Sequence, residues 1–263
     1  MEEEKIINGN CWVAYFDILG FKNEIRLNTG QLPILADMYK GAVEHINGEL
    51  KSIPNFGSLY DCFWFSDSFL LYSLDDSTKS YNTIYIAAIH FFDYMINIKN
   101  WLLRGALTVG DFYADRNSNI YLGEALVDAH NFTEKQDWIG LVLTPNAHAK
   151  LVASGCKPSI WVDGLGFREY DVPIKRRMYV NGLEQITLDC EKLWAYHYRT
   201  GDCKRDMIMN MMRSACNRKD GLVIEHRRKY ENTLRFYETP CQCSVTSVAK
   251  NKEASVAEKA KKE

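Results

Sequence analysis

Two aspartates stand where the sequence gives no structural reason for a charge. Asp17 interrupts the apolar run 11–19, which otherwise has the composition of a β-strand covered on both faces. Asp67 lies in segment 66–68 between two aromatic-rich runs, the position of a tight hairpin turn. Burying a carboxylate is costly unless a cation or hydrogen-bond donors compensate it, so Asp17 needs a partner.

The segments around these aspartates predict an α+β fold. The predicted elements are a strand at 11–19, a helix at 32–50, hairpin strands at 59–65 and 69–74, a helix at 81–100, strands at 102–113 and 120–122, a helix at 124–136 and a strand at 138–143. Helices alternating with strand pairs favour a ferredoxin-like arrangement, with a central, mostly antiparallel sheet and flanking helices.

That arrangement pairs the hairpin with the first strand and puts Asp67 beside Asp17. Two neighbouring carboxylates repel each other, and a divalent cation relieves the repulsion, so the pair predicts a Mg²⁺ or Mn²⁺ site at a sheet edge. The structural alternatives are a strand-end cap for Asp17 and an ordinary turn acid for Asp67.

The rest of the chain carries weaker signals. We expect a first domain at 8–155, a C-terminal extension at 156–245 packed on or near it, and a polar, disordered tail at 246–263. The extension is predicted to contain extended segments at 160–162 and 170–173, a mixed region at 184–198 and helices at 206–212 and 222–237.

Composition excludes several classes of protein. With 263 residues, 32 basic against 34 acidic side chains and a net charge of −2, the chain has no basic field for stable nucleic-acid binding. Eight cysteines without a CxxC pair and an acidic N-terminus predict a reduced, cytoplasmic protein without an export signal. The most apolar stretch, 81–103, is too polar for a membrane span. None of the six histidines lies at a spacing suited to a metal site.

Four segments carry a resemblance to a known family. Residues 16–21, Phe-Asp-Ile-Leu-Gly-Phe, resemble the strand-one motif Phe-x-Asp-Ile-x-Gly-Phe of class III nucleotidyl cyclases. Segment 65–67 is similar to the hairpin that carries the second metal aspartate, with Ser66 in place of the usual glycine. Segments 103–110 and 121–125 are similar to the later strand and the turn into the following helix.

The resemblance implies a catalytic domain at 8–155 that forms a homodimer with active sites at the interface. Two Mg²⁺ or Mn²⁺ ions would be held by Asp17, Asp67 and the Ile18 carbonyl. The ribose 3′-hydroxyl would attack the α-phosphorus of a nucleoside triphosphate, giving a 3′,5′-cyclic nucleotide and pyrophosphate. Backbone amides from Leu19 to Lys22, including those of Gly20 and Phe21, would bind phosphate oxygens, with charge added by Lys22.

Departures from the family pattern bear on the substrate. Phe63 and Ile120 stand where purine-specific members carry polar, base-reading side chains, so ATP and GTP are not expected, and Phe63 is placed against the base. Together with segments 104–106 and 170–173, the sequence looks most like the Pycsar pyrimidine cyclases of bacterial anti-phage defence, which make cyclic UMP or cyclic CMP. The expected substrate is UTP, with CTP second, and a separate effector protein would sense the product.

The family's transition-state residues are also absent. Val127 and Asn131 occupy the positions of its Asn and Arg, so Arg104, or Asn131 with Lys135, is the candidate for supplying positive charge. The structural alternatives are an Arg104 paired with an acid and a solvated helix face. Two other functions remain open: a catalytically silent dimerisation or regulatory module, and a palm-type polymerase or dinucleotide cyclase.

Overall fold

The computed structural model describes residues 6–21, 32–51, 59–99, 101–156, 158, 166–181, 183–196, 206, 209–210 and 224–238. Lys22 and the predicted tail at 246–263 lie outside these ranges, as do most of the predicted segments 160–162 and 206–212. Over the described ranges, none of the helices has the length and apolar character needed to cross a membrane.

Eight strands and five helices are described. They are β1 Ile6–Ile18, α1 Leu32–Leu50, β2 Tyr60–Phe65, β3 Ser68–Ser73, α2 Thr78–Asp93, β4 Leu103–Asp115, β5 Ile120–Leu122, α3 Glu124–Lys135, β6 Gly140–Leu143, α4 Pro145–Ala153, β7 Arg168–Val180, β8 Leu183–Tyr196 and α5 Ile224–Glu238. A π-helical turn, Tyr94–Ile98, continues α2.

The sheet has the order β2-β3-β1-β4-β6-β8-β7, with β5 paired to β4. Its first four strands and the helices α1 and α2 form a β-α-β-β-α-β unit in which β1 lies antiparallel between β3 and β4. Among the described strand pairs, only β4 and β6 run parallel. The predicted α+β fold, with a ferredoxin-like, mostly antiparallel sheet and flanking helices, is confirmed.

The alternation of side chains along β1 separates the two faces of the sheet. Trp12, Phe16 and Ile18 pack into the main core with α1 and α2. Cys11 and Val13 belong to a second core with Ala125 and Ala129 of α3. Because strand side chains alternate with a period of two, Asp17 points to the α3 face of the sheet.

The C-terminal part of the chain extends this sheet. β8 pairs with β6 and forms a long antiparallel hairpin with β7, so residues 184–196 of the predicted mixed region are strand and segment 170–173 lies within β7. Helix α5 packs Phe236 against Trp138 and Tyr170, in a third core. The extension therefore adds strands as well as the expected helix, and the division of the chain near residue 155 stays a prediction.

A glycine in β4 allows β1 to approach closely. A Cβ at Gly105 would lie 2.5 Å from Cδ1 of Phe16 and 2.9 Å from the carbonyl oxygen of Tyr15. We therefore expect Gly105→Ala to lower the free energy of unfolding by about 1–3 kcal/mol, through overpacking beside Asp17. Urea unfolding of the purified variant measures this loss.

Gly48→Ala is the matched control for this substitution. Gly48 is exposed within α1, and a Cβ there would meet no atom within 4 Å. Alanine favours a helix over glycine, so this variant is expected to gain about 0.5–1 kcal/mol. Equal stability of the two alanine variants would show that the β1–β4 approach has room to relax.

Candidate active site

The sheet register puts the two aspartates side by side. Asp17 is opposite Ser68 in the β1–β3 pair, and the amide of Ile18 donates a 2.9 Å hydrogen bond to the carbonyl oxygen of Asp67. The charge of Asp67 is among the causes that raise the pKa of Asp17. One end of β1 and the adjoining hairpin turn therefore bring the backbones of the two aspartates together, close enough for the Asp67 charge to act on Asp17.

The hairpin turn that carries Asp67 is held by α1. The carbonyl oxygen of Ser66 accepts hydrogen bonds from Tyr39 Oη at 2.9 Å and from Trp64 Nε1 at 3.0 Å. The rings of Tyr39 and Trp64 stack with their centroids 3.3 Å apart. Ser66 has a φ of 55°, a conformation that favours glycine, and these contacts maintain it.

The surroundings of Asp17 disfavour the charged form of its carboxyl group. Burial raises the pKa of its carboxyl group above the usual value, outweighing the attraction of Arg104, and the charges of Glu134 and Asp67 raise it further. Both contacts with Arg104, 2.9 Å from Nε and 2.8 Å from Nη2, are to Oδ2 of Asp17. Among the described residues none donates a hydrogen bond to Oδ1, so none of them competes with a cation for this oxygen.

Arg104 lies directly opposite Asp17 in the β1–β4 register and is anchored in several directions. It is only 6% exposed and forms an ion pair with the side chain of Glu134. Its Nη1 donates to the carbonyl oxygens of Glu134 and Gln136, at 2.9 and 3.2 Å. The guanidinium of Arg104 is thus paired with acids, as the structural alternative expects. Its action on a phosphate stays a prediction.

Lys135 and Asn131, the two α3 residues predicted to supply positive charge, lie in different environments. Lys135 Nζ pairs with Glu191 of β8 at 2.7 Å and lies 3.5 Å from the centroid of the Phe132 ring. Its charge is directed toward β8, away from Asp17. Asn131 is exposed on α3. A role for either residue requires a substrate or a second subunit to reach it.

One backbone amide of the predicted phosphate-binding segment, residues 19–22, already forms a hydrogen bond within the protein. The amide of Leu19 donates to the carbonyl oxygen of Leu102 at 2.8 Å, so the expectation that it binds phosphate is wrong. Gly20 has a φ of 81°, and no atom of the described residues lies within 4 Å of the position that a Cβ would take, as a close approach to a ligand requires. Phe21 is buried, with its ring centroid 5.8 Å from that of Trp101, so only its backbone is available to a phosphate.

Phe63, predicted to contact the base, lies on the α3 face of the hairpin. Its ring stacks on Tyr121 of β5, with centroids 4.4 Å apart and an interplanar angle of 30°. Ile120, the other position without a base-reading side chain, is 42% exposed beside Tyr121. Because successive strand residues point to opposite faces, the Ile120 side chain points away from the face on which Tyr121 meets Phe63.

Four polar side chains around Asp17 were not predicted from the sequence as part of the site. Tyr15 Oη and Ser68 Oγ share a hydrogen bond of 2.6 Å, and the ring centroid of His130 lies 5.4 Å from that of Tyr15. Glu134 adds a third acid to the pair. The two-residue spacing of Tyr15 and Asp17 was a usable signal, because it puts both on one face of β1.

Comparisons with known proteins found matches among solved structures only. No family model matches the sequence, and neither does any curated protein. Among solved structures, 58 chains match. The adenylyl cyclase CyaB from P. aeruginosa is 11% identical, with 75% of this chain and 100% of that chain covered and a TM-score of 0.45.

Two further neighbours have similar values. The catalytic core of a rhodopsin-guanylyl cyclase with converted specificity, in complex with ATPαS, is 12% identical over 73% of this chain and 99% of its own, with a TM-score of 0.48. An adenylate/guanylate cyclase/hydrolase from Silicibacter pomeroyi is 11% identical over 74% and 100%, with a TM-score of 0.44. At these identities and scores, the neighbours carry no assignment of activity.

Proposed function

We propose that this chain is a metal-dependent nucleotidyl cyclase. It converts UTP, or CTP as the second choice, to the 3′,5′-cyclic monophosphate and pyrophosphate. The observation that carries the proposal is the pair of carboxyl groups, Asp17 and Asp67, on neighbouring β-segments within a motif that resembles class III cyclases. Ser68, opposite Asp17, is hydrogen-bonded to Tyr15 and stiffens the junction between the two segments.

The donor set fits a hard divalent cation. Mg²⁺ and Mn²⁺ prefer oxygen ligands, and Asp17 offers Oδ1 while Asp67 lies half-exposed in the adjoining turn. A cation here also relieves the cost of the buried Asp17 charge. When bound, two such ions would supply a more acidic 3′-hydroxyl and neutralisation of the triphosphate.

The chain's own residues then have distinct tasks. Asp17, Asp67 and the Ile18 carbonyl hold the cations, and the backbone at Gly20 and Phe21, with Lys22, orients the triphosphate. The 3′-oxygen forms a bond to the α-phosphorus, its proton leaves to solvent, and the bond to the β-phosphate bridging oxygen breaks, which releases pyrophosphate. Arg104, or Asn131 and Lys135, are the candidates to bind charge on the phosphoryl oxygens.

The environment of Phe63 supports a pyrimidine base. Phe63 and Tyr121 form a stacked aromatic pair, and Ile120, next to Tyr121 in β5, has no hydrogen-bonding side chain. Such a surface packs against a base without forming hydrogen bonds to a purine edge. The choice of UTP over CTP rests on no residue of the chain.

Exposed apolar side chains on the β7–β8 hairpin support the proposed homodimer, whose active sites would lie at the interface. In the β7–β8 register Tyr179, Ile186 and Leu188 share one face and Met178 and Leu183 the other, each about half exposed or more. Exposed apolar side chains grouped on one face are typical of a surface that a second copy covers. We propose that the dimer acts in the bacterial cytoplasm, in Pycsar-type anti-phage defence, and that its cyclic nucleotide is sensed by a separate effector.

A catalytically silent dimerisation module is the second candidate. Its specific support is that Arg104 already occupies Oδ2 of Asp17 and that Lys135 is paired with Glu191. In that function, the ion pairs stabilise the sheet and no charge is left for a phosphoryl transition state.

Product analysis separates these functions. The purified chain is incubated with ATP, GTP, CTP or UTP and Mn²⁺, and the products are identified by mass spectrometry. Cyclic UMP or cyclic CMP, lost on addition of EDTA, is the expected result. A cyclic purine nucleotide alone would overturn the pyrimidine preference, a dinucleotide would indicate the palm-type alternative, and no product from any triphosphate would favour the silent module.

A further inference from the structure

Two histidines and a glutamate meet on the face of the sheet opposite Asp17. His45, Glu49 and His90 each offer one ligand atom, and these atoms all lie within 4.8 Å of one another. We propose that these three side chains form a binding site for a transition-metal ion of the Zn²⁺ class, which joins α1 to α2. This site is separate from the carboxylate pair, and the proposal does not rest on the proposed function.

The helices bring the three donors together. His45 and Glu49 are four residues apart in α1, so both project from one side of the helix. His90 comes from the last turn of α2, and its Nε2 lies 3.8 Å from Oε2 of Glu49. Donors from two elements are needed for an ion to clamp the helices, and this cluster supplies them.

The aromatic surroundings orient the two imidazoles. The ring of His45 stacks on Tyr94 with centroids 5.1 Å apart and an interplanar angle of 29°. The rings of His45 and His90 are 5.8 Å apart, in an edge-to-face arrangement. Gly41 permits this packing, because a Cβ there would lie 2.5 Å from Oη of Tyr94.

The distances suit a tetrahedral ion after small side-chain rotations. Zn²⁺ binds imidazole nitrogen and carboxylate oxygen at about 2.0–2.2 Å, which sets ligand atoms in a tetrahedron roughly 3.3–3.6 Å apart. Separations of up to 4.8 Å exceed this range by only about 1 Å, so the ligand side chains are expected to rotate toward the ion when it binds.

The ligand types select the class of ion. Imidazole favours Zn²⁺, Ni²⁺, Cu²⁺ and Fe²⁺ over Mg²⁺ and Ca²⁺, which prefer oxygen. Two histidines and one glutamate are the ligand set of zinc sites that keep a fourth position open. His90 and Glu49 have side chains 30% and 45% exposed, so water reaches that fourth position.

An ion at this site also stabilises the helix that holds the Asp67 turn. Tyr39, which donates to Ser66, lies in α1 with His45 and Glu49. Fixing α1 against α2 therefore reduces the freedom of the turn. The sequence prediction that no histidine belongs to a metal site considered spacing alone, and it missed the helix contact that brings His90 to His45.

Metal binding to the metal-free chain tests the proposal. Zn²⁺ is titrated by calorimetry in excess Mg²⁺, without nucleotide, and Co²⁺ is titrated by visible absorption, which reports tetrahedral coordination. We expect binding of one Zn²⁺ per chain, a rise in melting temperature and tetrahedral Co²⁺ bands. Loss of even an outer-sphere partner costs about 10–100-fold in metal affinity, so Glu49→Gln and His90→Gln are each expected to weaken binding by about 100-fold or more.

The controls make each outcome informative. His148→Gln changes a half-buried histidine that packs against Trp194, outside the cluster, and is expected to bind Zn²⁺ like the unmodified chain. Glu49 is exposed enough that Glu49→Gln should fold normally, as circular dichroism would check. No Zn²⁺ binding by the unmodified chain, or equal affinity after Glu49→Gln and His90→Gln, would overturn the proposal. Neither result depends on cyclase activity.

Discussion

Asp17→Asn is expected to abolish the formation of cyclic nucleotide, with a loss of about 100–1000-fold or more in turnover. Asparagine has the shape of aspartate but carries no charge, so it neither holds a divalent cation firmly nor offsets the cation's charge. Asp67→Asn should cause a loss of similar size, because the two carboxyl groups act on the same ions. Turnover of UTP and CTP at saturating Mn²⁺, followed by mass spectrometry, measures both.

Asp61→Asn is the matched control for these two variants. Asp61 lies on the same hairpin as Asp67, and its carboxylate pairs with the exposed Arg116 at 3.0 Å. Turnover close to that of the unmodified chain is expected. The Asp17 variant should remain folded, because Arg104 keeps its ion pair with the Glu134 side chain and its hydrogen bond to the Glu134 carbonyl oxygen. Unchanged turnover in Asp17→Asn would show that the site assignment is wrong.

Arg228→Met is expected to lower the free energy of unfolding by about 3–5 kcal/mol. Asp137 is fully buried, and Arg228 of α5 binds its carboxylate through both Nε and Nη2, the latter at 3.0 Å. Asn232 adds hydrogen bonds of 2.7 Å to the Asp137 carbonyl oxygen and 3.2 Å to its carboxylate. Without the arginine, a buried carboxylate keeps only an amide partner. Urea unfolding measures the loss.

The neighbouring arginine provides the control. Arg227 is exposed and pairs with Glu231 one helical turn away, at 2.9 Å, so Arg227→Met should change stability by no more than about 0.5 kcal/mol. The double variant Asp137→Asn, Arg228→Met removes both charges and should recover part of the loss. Equal, small effects of Arg227→Met and Arg228→Met would mean that α5 does not compensate the Asp137 charge.

The ferredoxin-like part of the fold was accessible from local patterns. The helical period over 32–50 matches α1, and the aromatic runs around Ser66 and Asp67 match β2 and β3. Chain order then restricts how the hairpin pairs with β1, and this restriction places Asp67 next to Asp17. The long strand β8 was missed because its exposed and buried residues do not alternate cleanly, and α4 because its nine residues are too few for a strong period.

The sequence by itself determined which residues end β1 and which form the hairpin turn, because strand period and turn chemistry act between near neighbours. It could not determine the partners of those residues. Arg104 meets Asp17 through the pairing of β1 with β4 and Glu134 through the packing of α3 on the sheet, and His90 meets His45 through the packing of α1 against α2 on the other face. Such contacts join residues tens of positions apart. They depend on how whole elements pack, so only the tertiary structure decided them.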